Sequence, residues 1–89
     1  MAVYMVERDL KGITNDQLAG AQAAAIATAN RLSRPGADVR YIRSTFVPGE
    51  GRCMCLFEGA NAEVVKRVNE EAKLPFTRIV EALDLTPKH

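Results

Sequence analysis

Apolar and polar positions alternate from Ala2 to Arg8, with Tyr4, Val6 and Arg8 on one side and Val3, Met5 and Glu7 on the other, which is the period of a β-strand. The period then lengthens. Thr14 with Gln17 three residues later has the form of a capping box and predicts a helix from about Asn15, along which Leu18, Ala21, Ala25, Ala29 and Leu32 recur at helical spacing. Pro35-Gly36 cannot continue that helix. Val39 to Val47, rich in β-branched and aromatic residues, predicts a second strand. Strict alternation there places Val39, Tyr41, Arg43 and Thr45 on one face and Arg40, Ile42, Ser44 and Phe46 on the other. Pro48-Gly49-Glu50-Gly51 reads as a turn, and Arg52 to Glu58, apolar on both faces between charged ends, as the returning strand of a hairpin. Asn61 is placed to cap a second helix with Val64, Val65, Val68 and Ala72 as its apolar stripe, and Pro75 limits it. Phe76 to Leu83 alternates again and predicts a fourth strand.

The order strand, helix, strand, strand, helix, strand is the split βαβ pattern of the α+β ferredoxin-like fold, with two helices on one face of a four-stranded antiparallel sheet. Residues 1–89 read as one such domain, with 84–89 as a loose tail. The first and third strands are apolar on both sides, so the face without helices should also be apolar. A surface of that kind marks an interaction site, and the expectation is a homodimer packed sheet to sheet. The set Val3, Met5, Ile42, Phe46, Ile79 and Leu83 forms the simpler layer for the helices. Tyr4, Val6, Arg8, Tyr41, Arg43, Phe76, Arg78 and Val80 are then expected on the open face.

Composition narrows the function more than it names it. At 89 residues the core is thin, which strengthens the case for a second copy of the chain. Twelve Lys and Arg against eleven Asp and Glu, interspersed, argue against a nucleic-acid footprint. The short apolar start has no basic leader, and no stretch approaches the roughly 18 apolar residues of a membrane span, so a cytoplasmic protein with no membrane partner is expected. Cys53 and Cys55 share a strand face with Cα atoms about 6.6 Å apart, near the limit for a disulfide, and read as reduced thiols packed in a core or as two soft metal ligands. Glu7 and Asp9 could add oxygen ligands, as could Tyr41. Arg8, Tyr41 and Arg43 are the candidates for gripping a small anionic ligand, the other reading being that the arginines pair with carboxylates at the dimer edge. The single histidine, His89, is the last residue, where it is poorly placed to act as a general base, so no catalytic residues are assigned.

Several short segments resemble a known family. Met5-Val6-Glu7-Arg8-Asp9-Leu10, Gly12-Ile13-Thr14, Val39-Arg40-Tyr41-Ile42-Arg43-Ser44, Cys55-Leu56-Phe57-Glu58 and Leu74-Pro75 before Arg78-Ile79-Val80-Glu81 are similar, in order, to small bacterial ferredoxin-like proteins. That family, once known only as a domain of unknown function, is now labelled nickel-binding. The resemblance spans nearly the whole chain and implies a dimer and a divalent transition metal, nickel, as the cofactor. Many members carry a histidine in the second helix before the Leu-Pro. Val68 stands at that position here, and valine has no ligand atom, which counts against nickel in this chain. The same fold also resembles the dimeric α/β-barrel monooxygenases and isomerases, which implies an alternative: an enzyme with an arginine- and tyrosine-lined cavity.

Overall fold

A computed structural model describes residues 1–87. Its elements are β1 (Ala2–Asp9), α1 (Asn15–Leu32), β2 (Val39–Val47), β3 (Arg52–Gly59), α2 (Ala62–Glu71) and β4 (Arg78–Ala82). Both helix starts follow from their caps. Thr14 Oγ1 accepts from the Gln17 amide at 3.1 Å while Gln17 Oε1 accepts from the Thr14 amide at 3.0 Å, which closes the predicted capping box. Asn61 Oδ1 accepts from the Val64 amide at 3.0 Å at the start of α2.

The end of α2 is less ordinary. Lys73 takes a left-handed conformation, φ 58°, with its amide donating to Glu70 O and the Leu74 amide to Asn69 O, both at 3.0 Å. That pair of bonds is a Schellman closure with lysine where glycine is usual. It reverses the chain so that Leu74 and Pro75 return toward the sheet. The fourth strand consequently starts at Arg78 rather than Phe76, whose side chain packs against the core.

The sheet order is β2-β3-β1-β4 with every pairing antiparallel, so β1 and β3 are central as the ferredoxin-like pattern requires. The core lies between this sheet and the two helices. Val6, Cys53, Cys55 and Phe57 from the central strands meet Ala25 and Ala29 of α1 and Val65 and Val68 of α2. Small alanines let α1 approach the sheet closely.

The expected layers are inverted along β1 and at Tyr41 and Phe76, whereas Arg43, Arg78 and Val80 lie on the open face as expected. Val6 and Arg8 are buried on the helix side, with Tyr4, Tyr41 and Phe76 packed against the core, whereas alternation puts Val3 and Met5 on the open face. Phe46 and Ile79 do reach the core, as expected. Leu83, expected in the helix layer, is 80% exposed beyond the end of β4. Two causes account for the inversion. Polar side chains of β1 and β2 find hydrogen-bond partners inside, described below, which offset part of the cost of burying them. In addition, β2 carries a β-bulge: Tyr41 pairs with Phe57 and Arg43 with Leu56, leaving Ile42 as the extra residue. The bulge separates Tyr41 from Arg43, which strict alternation had placed together. Tyr41, Ser44 and Phe46 face the helices, and Arg43 faces away with Arg78 and Val80.

The expected tail has no regular structure over residues 83–87, although Asp84 is held by Arg43, and its last two positions, Lys88 and His89, lie outside the described residues.

Candidate functional site

Between α1 and the sheet lies a cavity of about 150 Å³. Its apolar wall comes from Leu10, Leu18, Ala21, Phe46 and Leu74, and its polar wall from Arg8, Gln22, Tyr41, Ser44, Cys53 and Cys55. The sequence places these groups by simple means. Arg8, two residues beyond Val6, must point inward once Val6 does, and Cys53 and Cys55 share the inward face of β3. The bulge brings Tyr41 and Ser44 to the same side. The Schellman closure delivers Leu74.

Arg8 is 2% exposed. Its Nη2 donates to Asn69 Oδ1 at 2.8 Å and its Nη1 to the Pro75 carbonyl at 3.0 Å, both neutral acceptors. Asn69, itself fully buried, is fixed by donating from Nδ2 to Val65 O at 2.9 Å. The ion pairs among the described residues engage Arg31, Arg40, Arg43, Arg52 and Arg78, and none reaches Arg8. Arg8 is therefore a buried positive charge with hydrogen bonds and no counter-ion among the described residues.

A second polar feature is a chain of hydrogen bonds along the cavity wall. Gln22 Nε2 donates to Tyr41 Oη at 3.1 Å, Tyr41 Oη and Ser44 Oγ are 2.6 Å apart, and Ser44 Oγ donates to Cys55 Sγ at 2.9 Å. Cys53 Sγ lies 3.7 Å from Cys55 Sγ, and both cysteines are free thiols. Burial, and then the neighbouring Cys55, push the Cys53 thiol up to about 11, while Arg8 pulls in the opposite direction. Burial and Cys55 thus disfavour ionisation of the Cys53 thiol in the metal-free protein.

Of the residues singled out in the sequence, Arg8, Tyr41, Cys53 and Cys55 converge on this cavity. Arg43 does not. It forms a forked ion pair with Asp84 on the open face, at 2.9 to 3.1 Å. Glu7 pairs with Arg52 and Arg78 on that same face, and Asp9 accepts from the Lys11 amide at the end of β1. Neither carboxylate is brought to the cysteines. Asn69 is not singled out by the sequence, yet its spacing of four from Val65 puts it on the buried stripe of α2. Ser44 and Gln22 carried no signal, because their roles depend on the bulge and on the position of α1.

The comparisons with known proteins agree with this fold. The family model described as nickel responsive protein SCO4226-like matches residues 4–82. The chain belongs to the SCO4226-like family. The crystal structure of SCO4226 from Streptomyces coelicolor A3(2) matches with a TM-score of 0.79 and 32% sequence identity, over 96% of this chain and 100% of that one. No curated protein matches the chain significantly. The name of the SCO4226-like family makes nickel the metal to test against the side chains present. Among the described residues no three His, Cys, Asp or Glu side chains come together in a metal-holding group, and Val68 is wholly buried in the core. The described residues of one chain do not fit a nickel site. No helix among them is long and apolar enough to cross a membrane.

Proposed function

We propose that this member of the SCO4226-like family is a small ligand-binding protein that takes a compact anionic molecule into the cavity between α1 and the sheet. The observation that carries the reading is the buried, counter-ion-free Arg8 at the cavity wall. A buried charge is normally paired, because desolvation costs several kcal/mol per ion and neutral acceptors offset only part of it. A carboxylate or similar anion would complete Arg8 and meet the Tyr41 hydroxyl nearby. A cavity near 150 Å³ is of the size that holds a benzene-like body, and the apolar wall suits one. Among the described residues the lining carries no carboxylate or imidazole, which favours holding a ligand over proton transfer.

The working unit is, in this proposal, a homodimer. Val3, Met5, Met54, Leu56 and Val80 form a half-buried apolar stripe on the open face, rimmed by the ion pairs Arg40–Glu58, Arg43–Asp84 and Arg52–Glu7. An apolar centre with a polar rim is the anatomy of a protein interface. Free thiols suit a reducing compartment, in keeping with a cytoplasmic protein.

Benzoate is a suitable probe. Thermal unfolding of the metal-free protein should shift upward with millimolar benzoate and much less with neutral benzamide, and Arg8→Met should abolish the benzoate shift. A benzoate response that survives Arg8→Met, or no saturable response in the wild type, would sink the reading.

A further inference from the structure

Cys53 and Cys55 remain outside the anion reading although they line the same cavity. We infer that the two sulfurs form a binding site for a soft monovalent cation, copper(I), seated between them and beside Arg8. At a metal–sulfur distance of about 2.3 Å, sulfurs 3.7 Å apart subtend about 107° at a shared ion. That is the angle of a three-coordinate closed-shell ion, and with no third His, Cys, Asp or Glu beside the sulfurs among the described residues the remaining position is filled by a small neutral ligand from the cavity, such as water.

Charge selects the valence. Two thiolates with one monovalent ion carry a net charge of −1, which the adjacent Arg8 guanidinium offsets. A divalent ion would make the same pair neutral and leave Arg8 uncompensated. Sulfur alone, without imidazole, also favours a soft ion over nickel. The surrounding hydrogen bonds point the same way. With the Ser44 hydroxyl donating to Cys55 Sγ, Tyr41 donates to Ser44 and Gln22 to Tyr41, so the whole chain is directed at one sulfur. Donors aimed at a ligand sulfur hold its orientation and stabilise its charged form. Gln22 is exposed and marks the side from which an ion enters.

Binding converts two thiols and one copper(I) into a bis-thiolate complex and releases two protons to solvent, with no change of oxidation state. Loading should therefore strengthen as pH rises.

The experiment offers copper(I) as its bicinchoninate complex to reduced protein under argon. The wild type should withdraw one copper per chain, release two protons and protect both cysteines from prolonged iodoacetamide treatment at alkaline pH, where the metal-free protein is alkylated. Cys53→Ala and Cys55→Ala should each lose the ion, and Arg8→Met should weaken it by about tenfold or more, in the range seen when outer-shell groups of metal sites are removed. Circular dichroism melting of each variant separates lost binding from lost folding, and the protection assay needs no variant. Unprotected thiols in the wild type, copper retained without both cysteines, or equal protection by nickel(II) would each overturn the inference. The benzoate titration uses metal-free protein and reads Arg8 alone, so either proposal can fail without the other.

Discussion

Replacing Asn69 by leucine removes the acceptor that holds Arg8 while leaving the guanidinium buried. Two hydrogen bonds go: the charged one from Arg8 Nη2 at 2.8 Å, and the one from Asn69 Nδ2 to Val65 O at 2.9 Å. A hydrogen bond to a charged group is worth about 1.5–3 kcal/mol and a neutral one about 1 kcal/mol, against which leucine returns some apolar burial. The net cost should be about 2–4 kcal/mol, lowering Tm by about 10–25 °C for a domain of this size. Arg8→Met alone should cost less, because the charge leaves together with its desolvation penalty and the Pro75 carbonyl sits on an exposed residue that water can reach. The decisive comparison is the double variant Arg8→Met with Asn69→Leu. It should be more stable than Asn69→Leu by at least about 1 kcal/mol, since removing both partners leaves no orphaned charge. Urea unfolding followed by far-ultraviolet circular dichroism, with unchanged slopes, gives the four stabilities. If the two single costs simply add in the double variant, Arg8 and Asn69 are not coupled and the buried-charge argument is wrong.

Three further outcomes are expected. Because the folded Cys53 thiol is raised from 9.0 to about 11, its contribution is complete below about pH 9 and is lost as pH climbs through about 11, so Tm should fall across that window and fall less in Cys53→Ala; equal slopes would refute the assignment. Leu56→Asp places a carboxylate at the middle of the open apolar face and should convert a dimer to a monomer at micromolar concentration by light scattering, a proposal that fails if the wild type is already monomeric. Lys73→Gly relieves a left-handed lysine at the end of α2 and should stabilise the fold by about 0.5–1 kcal/mol in urea titrations; a loss of stability would show that the lysine side chain matters more than its backbone.

The helix starts and the hairpin were legible in the sequence because their signals are local: Thr14 with Gln17, Asn61, and Pro48-Gly49-Glu50-Gly51 all act within a few residues. The facing of β1 was not, since both of its sides are apolar and the deciding partner, Asn69, lies 61 residues away. An arginine beside two apolar residues looks like a surface group until its acceptors are known. The bulge at Ile42 was equally hidden, with no glycine or proline to mark it. Hence Arg8 and Tyr41, singled out for their chemistry, line the cavity although both were expected on the open face, whereas Arg43 lies on the open face as expected and the bulge parts it from Tyr41. The cysteines were legible as a pair on one face, and what the sequence lacked was the neighbour across the fold that gives the pair its electrostatic setting.

That bulge has a second consequence. β2 is an edge strand, with one row of backbone amides and carbonyls unpaired by the sheet. Such an edge can recruit a foreign strand and seed aggregation. A bulge breaks the repeat that an incoming strand must match, and the ion-paired Arg40 and Arg43 beside it keep the edge polar and costly to desolvate. The kink that shapes the cavity wall therefore also guards the sheet's border, so deleting Ile42 should give a protein that is less soluble as well as one with a rearranged interior.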